Sequence, residues 1–385
     1  MAVSLSKDKD EAKQQPQEAP IHGDVLEEIL THLTLLDLLA ASRVSKVWRI
    51  AVTSSLLISP RVKPWLIIHA LHPRNHSPTS TSAFDPASRV WLSLNTGNLP
   101  TAGSEIRSSH SQNILYTFST RTFSFSFDAF HLMWHHAEAP RVWRQNPIIA
   151  RFGCHVIIAG GTCDYVDDDP LAVEMYDTES RRWEMCGPMP VELKDSATST
   201  WLSAAATDRT LYLLEKRSLV ICSFDAETKT WGPTFNLTLD VFHSIIGVAN
   251  KRLVLVGLIG EPDELQGVGL WEVDQVSYEC RKIGEMPEVM VESLRNENSM
   301  FWMPCASMEG DFIYVYNPAN PEWIFFCELK ERMCQWSQVL NPTAKDHNRM
   351  ERFVFTCGKM GMYDLEKAVI TGRTQDKING GIGQR

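Results

Sequence analysis

Phe224-Asp225-Ala226-Glu227-Thr228-Lys229-Thr230-Trp231 is the stretch that decides the fold, because it places an aspartate directly after an aromatic residue and a tryptophan seven positions after it. In an antiparallel hairpin with a four-residue loop, positions 0 and 7 face each other on one side of the sheet, so the two rings stack as a cross-strand pair. The aspartate at position 1 can accept hydrogen bonds from the backbone of the turn. The stretch therefore predicts a β-hairpin.

The same spacing recurs along the chain. Three further copies and a weaker fifth one run from Phe84 to Trp91, Phe127 to Trp134, Tyr176 to Trp183 and Trp271 to Tyr278. The five copies start 43, 49, 48 and 47 residues apart. A period of this size indicates a repeat architecture in which each unit is one supersecondary motif. The aromatic pairs are expected to form the packing between neighbouring units.

Short β-branched or aromatic runs upstream of each hairpin predict further strands, so that most units contain four. Four short strands in about 45 to 50 residues are typical of a propeller blade. Residues 301–340 supply a complete further unit, which raises the number of blades from five to six. The first unit has only three strands, and residues 353–357 are predicted to supply its innermost strand and close the ring.

With these hairpins the chain resembles the kelch-repeat family. The twin glycine that the family places after the second strand is present once, as Gly160-Gly161, whereas the other units lack it. The resemblance implies a degenerate kelch-type β-propeller over residues 65–358. Residues 60–64 are expected to link it to the preceding segment, and residues 359–385 are expected to form a mobile tail, although Met362-Tyr363-Asp364 could instead join the closure.

The segment before the propeller has a helical pattern. Apolar residues recur there at helical spacing, namely Val25, Leu26, Ile29, Leu30 and Leu33. Asp24 is the predicted N-cap of this first helix, with Glu27 three residues later. Thr34 and Ser45 are predicted to begin two more helices. Three short helices bury little apolar area by themselves, so this small all-α segment is expected to be stabilised by binding a partner.

This segment, residues 21–59, resembles the F-box. The matching stretches are Asp24-Val25-Leu26-Glu27-Glu28-Ile29-Leu30, Leu35-Leu36-Asp37-Leu38-Leu39 and Val44-Ser45-Lys46-Val47-Trp48. The chain departs from the family at Ile21-His22, where the family has Leu-Pro, and at Ser45, where it has Cys. The resemblance implies docking on a Skp-type adaptor through the apolar positions of the motif, which are Leu26, Ile29, Leu30, Leu33, Leu35, Leu38, Val44 and Trp48.

An F-box followed by a propeller resembles the plant-type F-box proteins with a degenerate kelch propeller. This resemblance implies the substrate-recognition subunit of an SCF-type ubiquitin-protein ligase, in which the Skp-type adaptor joins a cullin and a RING subunit while the propeller holds a target protein. Such a chain is not itself an enzyme. Two alternatives stay open: an adaptor-bound scaffold without ligase function, and a propeller enzyme of the galactose oxidase kind, which needs clustered His and Tyr around copper.

The target is expected to bind the long loops of the propeller, which an up-and-down blade places on one face. Acidic residues cluster in these loops, namely Asp164, Asp167, Asp168, Asp169, Glu261, Asp263 and Glu264. Clustered acid would steer a basic segment of the target toward this face. The alternative is that these acidic residues only keep the protein soluble. Their negative electrostatic field is weakened by three basic residues on neighbouring loops, Lys194, Arg295 and Arg349.

The composition excludes several other classes. A net charge of -10 over 385 residues argues against nucleic acid as the main ligand, and no apolar run approaches membrane-spanning length. The nine cysteines are scattered and never form Cys-x-x-Cys, which favours reduced thiols. Residues 1–20 are polar and charged and are expected to be disordered. These features favour an intracellular protein of the cytoplasm or nucleus.

Candidate metal ligands are few. His135-His136 and Cys154-His155 carry suitable donor atoms, but the first pair follows a repeat tryptophan and the second enters a predicted strand, so a structural role is favoured. Asp167-Asp168-Asp169 could bind a cation, and a solvated loop is favoured there too. No nucleophile motif or phosphate-binding glycine loop is present in the sequence. We therefore predict no catalytic residue, no metal site and no cofactor.

Overall fold

The computed structural model describes residues 21, 23–58, 63–72, 78–94, 105–109, 113–119, 121–130, 132–162, 169–197, 200–295, 304–318, 321–330, 334–344 and 352–366. The chain divides into two compact units, Met1–Arg61 and Val62–Arg385. The first is all-helical in its described part, and the second is built from strands. Among the described residues, no helix combines the length and the apolar character needed to cross a membrane.

The first unit consists of three helices, α1 (Asp24–Thr31), α2 (Leu35–Ser42) and α3 (Lys46–Ile58). Both α1 and α2 pack against α3. Their shared core contains the buried side chains of Leu26, Leu30, Leu38, Leu39 and Val52. Because the apolar residues of each helix recur every three or four positions, one stripe of each helix is buried in this core.

The helix starts follow the sequence at two of three positions. The Asp37 N–H donates to Thr34 Oγ1 at 3.3 Å, and the Trp48 N–H donates to Ser45 Oγ at 3.2 Å, which confirms both predicted N-caps. The prediction that Asp24 caps α1 is wrong. Gly23, with φ +66°, is the N-cap, and no side chain caps this helix. Asp24 lies inside the first turn, where its negative charge interacts favourably with the positive end of the helix dipole.

In the part that the structure describes, the second unit contains 25 strands in six sheets. The strands of the first three blades in chain order are β1 (Pro64–Leu71), β2 (Pro78–Asp85), β3 (Val90–Leu94), β4 (Arg107–Ser109), β5 (Ile114–Phe118), β6 (Thr122–Ser126), β7 (His135–Glu138), β8 (Ile148–Phe152), β9 (His155–Ala159), β10 (Val173–Asp177) and β11 (Arg182–Met185). A 3-10 turn and the short helix α4 (Lys194–Ala197) connect the third blade to the fourth.

The remaining blades repeat the same pattern of strands. Their strands are β12 (Leu202–Ala206), β13 (Thr210–Glu215), β14 (Val220–Asp225), β15 (Thr230–Trp231), β16 (Phe235–Asn236), β17 (His243–Ala249), β18 (Arg252–Glu261), β19 (Glu264–Val273), β20 (Cys280–Glu285), β21 (Cys305–Glu309), β22 (Phe312–Tyr316), β23 (Trp323–Leu329) and β24 (Cys334–Leu340). The last strand, β25 (Arg352–Lys359), returns to the first blade. Helix α5 (Glu288–Leu294) connects the fifth blade to the sixth. In the fourth blade both β15 and β16 pair with β14.

The sheets form a closed six-bladed propeller, as the sequence predicted. The innermost strands β25, β4, β8, β12, β17 and β21 neighbour one another in a ring around the axis. Strand β25 completes the first blade by pairing antiparallel with β1, from Pro64 opposite Lys359 to Leu71 opposite Arg352. The predicted closure by residues 353–357 is therefore confirmed. It joins the two ends of the propeller chain in one sheet.

Three of the predicted hairpins have the expected geometry. The ring centroids of Phe84 and Trp91, of Tyr176 and Trp183, and of Phe224 and Trp231 lie 5.1, 5.1 and 5.0 Å apart, and each pair is in register across its strands. The aspartate that follows each first aromatic accepts a hydrogen bond from a backbone N–H two residues later, at 2.8–2.9 Å. The residue at position 5 is left-handed, at Arg89, Arg181 and Lys229.

The other two copies of the motif do not form the predicted pairs. Phe127 and Trp134 lie outside the strands, because the second blade has a longer loop and pairs Phe125 with His135 instead. Trp271 lies opposite Lys282, and Tyr278 is a left-handed turn residue with φ +59°.

In that fifth blade the hairpin is shifted by two residues. Val273 and Cys280 take positions 0 and 7, and Asp274 takes position 1. Its carboxylate accepts hydrogen bonds from the N–H groups of Val276 and Ser277 at 2.9 and 2.8 Å. The turn geometry is thus retained without aromatic rings at the two facing positions.

The aromatic pairs contribute to contacts between neighbouring blades, as expected. Trp183 Nε1–H donates to the carbonyl oxygen of Glu138 in the preceding blade at 3.0 Å, and Trp231 Nε1–H donates to that of Gly187 at 3.0 Å. Burial of one ring face and a hydrogen bond at the ring edge together orient each tryptophan between two sheets.

The folded part extends beyond the last strand. Met360 and Leu365 are 1% and 0% exposed, and residues 362–366 form a helical turn. The sequence placed these residues in a mobile tail from residue 359, whereas they pack onto the propeller unit. Residues 367–385 and the expected disordered lead, residues 1–20, lie outside the described residues. The eight cysteines that the structure describes are free thiols.

Candidate adaptor and target surfaces

The eight predicted adaptor residues fall into two groups in the three-helix unit. Four are buried between the helices: Leu26, Leu30, Leu35 and Leu38. Ile29, Leu33 and Val44 are 44%, 38% and 63% exposed, and Trp48 is half-buried. Half of the apolar motif is therefore packed between the helices, and the other half faces solvent fully or in part. Only the second half offers its side chains to a partner in this conformation.

Sequence reasoning missed five further exposed apolar residues of this unit, of which Ile21, before α1, is 52% exposed. Val25 is 65% exposed on α1, while Val47, Ile50 and Leu57 are 57%, 67% and 79% exposed on α3. The α3 residues are spaced by three and seven, so they lie on one face of that helix. The signal was present in the sequence, because α1 and α3 carry more apolar residues than one buried stripe requires.

Exposed apolar side chains are concentrated in this unit. Eight of the sixteen large hydrophobic side chains that are exposed in the described chain lie in the three-helix unit, although it is a small part of the chain. A concentration of exposed apolar side chains in one small unit is typical of an interaction site. The unit thus has the side-chain chemistry of a docking surface for an apolar partner.

The propeller has a cavity on its axis with a volume of about 380 Å³. We call it the channel cavity. The first residue of the innermost strand of every blade lines it, namely Arg352, Arg107, Ile148, Leu202, His243 and Cys305. In an up-and-down blade, the loops between the second and third strands and the connections between blades lie at this same end. We call this end of the propeller the loop face.

Cations line the channel cavity. Arg107, Arg352 and Lys216 contribute to its wall, and the described lining residues include no carboxylate. Glu105, just behind the wall, pairs with both arginines, and its Oε2 lies 3.1 Å from Arg107 Nε. Lys216 Nζ donates to the carbonyl oxygen of Thr200 at 2.8 Å. The centre of the loop face is therefore positively charged.

Burial perturbs the titration of two groups in this wall. Desolvation lowers the pKa of Lys216 because it penalises the charged ammonium. Burial, together with the nearby charges of Lys216 and Arg217, lowers the pKa of His243 to about 4. His243 is thus neutral at pH 7, while burial disfavours the charged form of Lys216.

The predicted acidic target residues lie on the loop face where the structure describes them. Glu261, Asp263 and Glu264 are exposed at the turn between β18 and β19, and Asp169 is exposed before β10. Asp169 Oδ1 also accepts the Leu171 N–H at 2.9 Å. Asp164, Asp167 and Asp168 lie outside the described residues. The loop face thus has acidic side chains on surrounding loops and basic side chains at its centre.

The candidate metal ligands have structural partners. His135 stacks on Phe125 with ring centroids 5.3 Å apart, and His136 Nδ1 lies 2.8 Å from Ser124 Oγ. Both contacts belong to the β6–β7 hairpin, so they account for this pair without a metal.

One group of three donors comes together in the described chain, Cys154, His155 and Asp177, with ligand atoms within 4.8 Å of one another. The Asp177 carboxylate accepts hydrogen bonds from its own turn. Asp225 makes the equivalent backbone bonds in its turn without cysteine or histidine beside it. The hairpin therefore explains the position of Asp177.

Two comparisons with known proteins agree with this architecture. Residues 23–59 match the F-box domain. The chain is also 40% identical over 371 residues to an F-box/kelch-repeat protein of Arabidopsis thaliana, an alignment that covers 91% of this chain and 93% of the relative. The matched F-box residues cover the three-helix unit, and the relative is similar along both units.

Proposed function

This chain belongs to the F-box/kelch-repeat proteins, and from that premise we propose that it is the substrate-recognition subunit of an SCF-type ubiquitin-protein ligase. Its F-box would bind a Skp-type adaptor, and through it a cullin and a RING subunit, while its propeller would hold a target protein. The role of the chain in this proposal is non-catalytic. It acts in the cytoplasm or nucleus, where the other subunits would meet it.

One observation carries the proposal. The same chain joins a three-helix unit rich in exposed apolar side chains to a closed propeller whose loops and axial cavity lie at one face. The first unit is suited to docking, and the second offers a rigid scaffold on which loops can recognise a protein. A receptor needs these two properties together, whereas neither unit requires chemistry of its own.

The mechanism is an increase in effective concentration. A target held on the propeller has its lysines near a ubiquitin carrier that the RING subunit recruits. The transfer then becomes effectively intramolecular, and effective molarities for well-oriented groups reach about 10⁵–10⁸ M. The chain thus contributes positioning, and the bond chemistry belongs to the other subunits.

The adaptor is proposed to bind through the exposed half of the F-box motif, Ile29, Leu33 and Val44, with the partly exposed Trp48 and the additional α3 residues Val47 and Ile50. The buried residues Leu26, Leu30, Leu35 and Leu38 would support this surface from behind. Substituting Leu30 and Leu35 together would disturb the helix core first, so it cannot separate binding from folding. Exposed positions give the sharper test.

The experiment compares capture of a purified Skp-type adaptor by the full chain and by Val47→Glu with Ile50→Glu. Both side chains are exposed, so the fold should survive, while two charges placed in an apolar contact should weaken capture at least tenfold. Val276→Glu is the matched control, because Val276 is 87% exposed but lies in the propeller. Undiminished capture by the double variant, with a normal melting curve, would remove this surface from the proposal.

An adaptor-bound scaffold without ligase function is one of the two alternatives from the sequence. The two functions differ in the fate of the target. In cells, depletion of a receptor slows turnover of its target and lowers its ubiquitination, whereas depletion of a scaffold leaves both unchanged. With the proteasome blocked, proteins captured both by the full chain and by Val47→Glu with Ile50→Glu would provide the targets to follow, because the propeller would hold a target whether or not the adaptor is bound.

A further inference from the structure

The channel cavity has the size and lining of a small-molecule site. Its volume of about 380 Å³ falls within the range of about 300–1,000 Å³ that ligand pockets have. Much of its wall is apolar, with Ile148, Leu202, Ile245 and Phe355 among the lining residues. Such sites combine an apolar wall with a few polar groups that fix the orientation of the ligand.

The charge of the wall selects the kind of ligand. Three cations, Arg107, Arg352 and Lys216, have two neighbouring carboxylates: Glu105, which pairs with both arginines, and Glu215, which lies beside Lys216 and accepts the N–H groups of Arg217 and Ser218. Among the described residues Lys216 has no ion-pair partner, and its ammonium donates only to the carbonyl oxygen of Thr200. A partly desolvated cation that makes no ion pair is unfavourable, and an anion bound beside it would relieve this cost.

The wall also retains hydrogen-bonding capacity. Ser108 Oγ and His243 Nε2 are buried without a hydrogen-bond partner in the described structure, and both residues line the cavity. A buried polar atom without a partner is unfavourable, because it has lost its hydrogen bonds to water. His243 is neutral at pH 7, because burial lowers its pKa to about 4, so its ring adds no charge to the wall.

We propose that the channel cavity is a binding site for a small organic anion, an acidic group carried on an apolar ring body, with Lys216 as its main counter-charge. Arg107 and Arg352 contribute to the positive field, and the apolar wall covers the ring body. This site is independent of the receptor function, because ligand binding is measured on the purified full chain without an adaptor or target.

The probe is 8-anilinonaphthalene-1-sulfonate, whose fluorescence rises in apolar surroundings. N-phenyl-1-naphthylamine has the same rings without the sulfonate, so the pair isolates the contribution of the charge. We expect the wild-type chain to bind the sulfonate probe at one saturable site, and to bind it at least tenfold more tightly than the uncharged probe. Addition of 1-naphthoate should displace the sulfonate probe, whereas 1-naphthamide should not.

Three variants connect this binding to Lys216. Lys216→Met should weaken sulfonate binding at least tenfold and change binding of the uncharged probe less than twofold. Lys216→Arg should restore most of the loss, because it returns the positive charge. Lys282→Met is the matched control, since it removes the same charge from an exposed position on β20 and should leave both probes unaffected. Thermal melting of each variant verifies that the propeller is folded.

Three results would overturn the proposal. Equal sulfonate binding by the wild type and Lys216→Met would place the probe elsewhere, for example on the exposed apolar residues of the F-box unit. Equal losses for both probes in Lys216→Met would show a change in cavity shape rather than in charge. Displacement of the probe by an oligoglutamate peptide but not by 1-naphthoate would assign the cavity to a protein side chain instead of a free small molecule.

Discussion

Ile68 lies directly opposite Phe355 in the sheet of the first blade, so the second strand of that blade pairs with the last strand of the propeller. Ile68 is 1% exposed and Phe355 is 2% exposed. Phe355 also stacks on Tyr316 of the sixth blade, with ring centroids 3.9 Å apart. One strand therefore closes the first sheet and packs against the neighbouring blade at the same time.

Removal of this strand should abolish cooperative folding of the propeller. A chain that ends at residue 350 lacks β25 and the buried side chains of Val354, Phe355 and Cys357. Burial of each contributes about 2 kcal/mol, while the net stability of a domain is only about 5–15 kcal/mol. The exposed edge of β1 would also favour aggregation.

A chain that ends at residue 370 is the control, because it keeps β25 and the buried Leu365. Thermal unfolding followed by circular dichroism should show a cooperative transition for this chain and none for the shorter one. Equal melting temperatures would mean that β25 is dispensable for closure.

Trp231→Ala should destabilise the propeller by about 2–3 kcal/mol. The ring stacks on Phe224 at 5.0 Å, and its N–H donates to the carbonyl oxygen of Gly187 in the preceding blade. The expected loss is smaller than the 3–5 kcal/mol of a fully buried tryptophan, because this ring is half-buried. Trp231→Phe keeps a ring and loses the hydrogen bond, so it should cost about 1 kcal/mol. Urea unfolding measures both, and similar losses for the two variants would contradict the importance of the ring.

Arg144→Met should destabilise the propeller by about 3–5 kcal/mol, because it leaves the buried carboxylate of Glu174 without its counter-charge. Arg144 Nη2 lies 3.1 Å from Glu174 Oε2, and both side chains are fully buried. Glu174 also accepts the N–H groups of Arg141 and Val142 at 2.7 and 3.2 Å. This pair ties the connection between the second and third blades to the third sheet.

The control for this pair is Arg209→Met. Arg209 pairs with Glu227 at the surface, where both side chains are about 70% exposed, and such pairs contribute about 0–1 kcal/mol. Chemical denaturation should therefore separate the two arginine variants by at least 2 kcal/mol. A loss below 1 kcal/mol for Arg144→Met would show that the buried pair adds little to stability.

Two buried histidines should make the propeller sensitive to mild acid. Burial lowers the pKa of His69 to about 4, and burial with neighbouring cations lowers that of His243 to about 4. Their ordinary value is about 6.5, so below that pH the unfolded chain takes up protons that the folded chain does not. The stabilisation is fully present above pH 6.5 and is lost as the pH falls toward 4.

Each histidine should cost about 1 kcal/mol of unfolding free energy between pH 7.5 and pH 5.5. His69→Asn keeps a neutral polar side chain at a position where His69 Nδ1 lies 3.0 Å from Thr81 Oγ1. Because the variant removes one of the two histidines, we expect about half of their combined loss of unfolding free energy to disappear. Urea unfolding at the two pH values measures this. If the unfolding free energy of this variant changes with pH as much as that of the wild type, His69 is excluded as a source of the pH dependence.

Reversal of charge at the turn between β18 and β19 should weaken capture of a basic target. The change is Glu261→Lys with Asp263→Lys and Glu264→Lys, and the effect should be largest at low salt, because screening reduces surface electrostatics. A matched triple variant, Glu179→Lys with Glu227→Lys and Glu279→Lys, makes the same change in net charge on exposed turns at the opposite face. Quantitative capture of an identified target at two salt concentrations measures the effect. Equal losses for the two triple variants would assign it to net charge rather than to the loop face.

Local sequence determined the hairpins and the helices of this protein. An aspartate after an aromatic residue, with tryptophan seven positions after that aromatic, specifies strand, turn and strand within eight residues, and three such stretches adopt that geometry. Thr34 and Ser45 likewise act within one helical turn. The closing strand was also predictable, because a three-stranded first unit leaves an unpaired edge that only a distant strand can complete.

The tertiary structure alone decided which side chains meet across long distances in sequence. The second and fifth hairpins departed from the motif because loop length and packing set their register, and a pattern of residue types does not encode that register. Exposure of half of the F-box motif, the pairing of Arg144 with Glu174, and the gathering of Arg107, Lys216 and Arg352 around one cavity depend on how the helices pack and on how the blades close in a ring. Hydrogen bonds within one turn are local and can be read from sequence, whereas burial and charge at the axis are properties of the closed propeller.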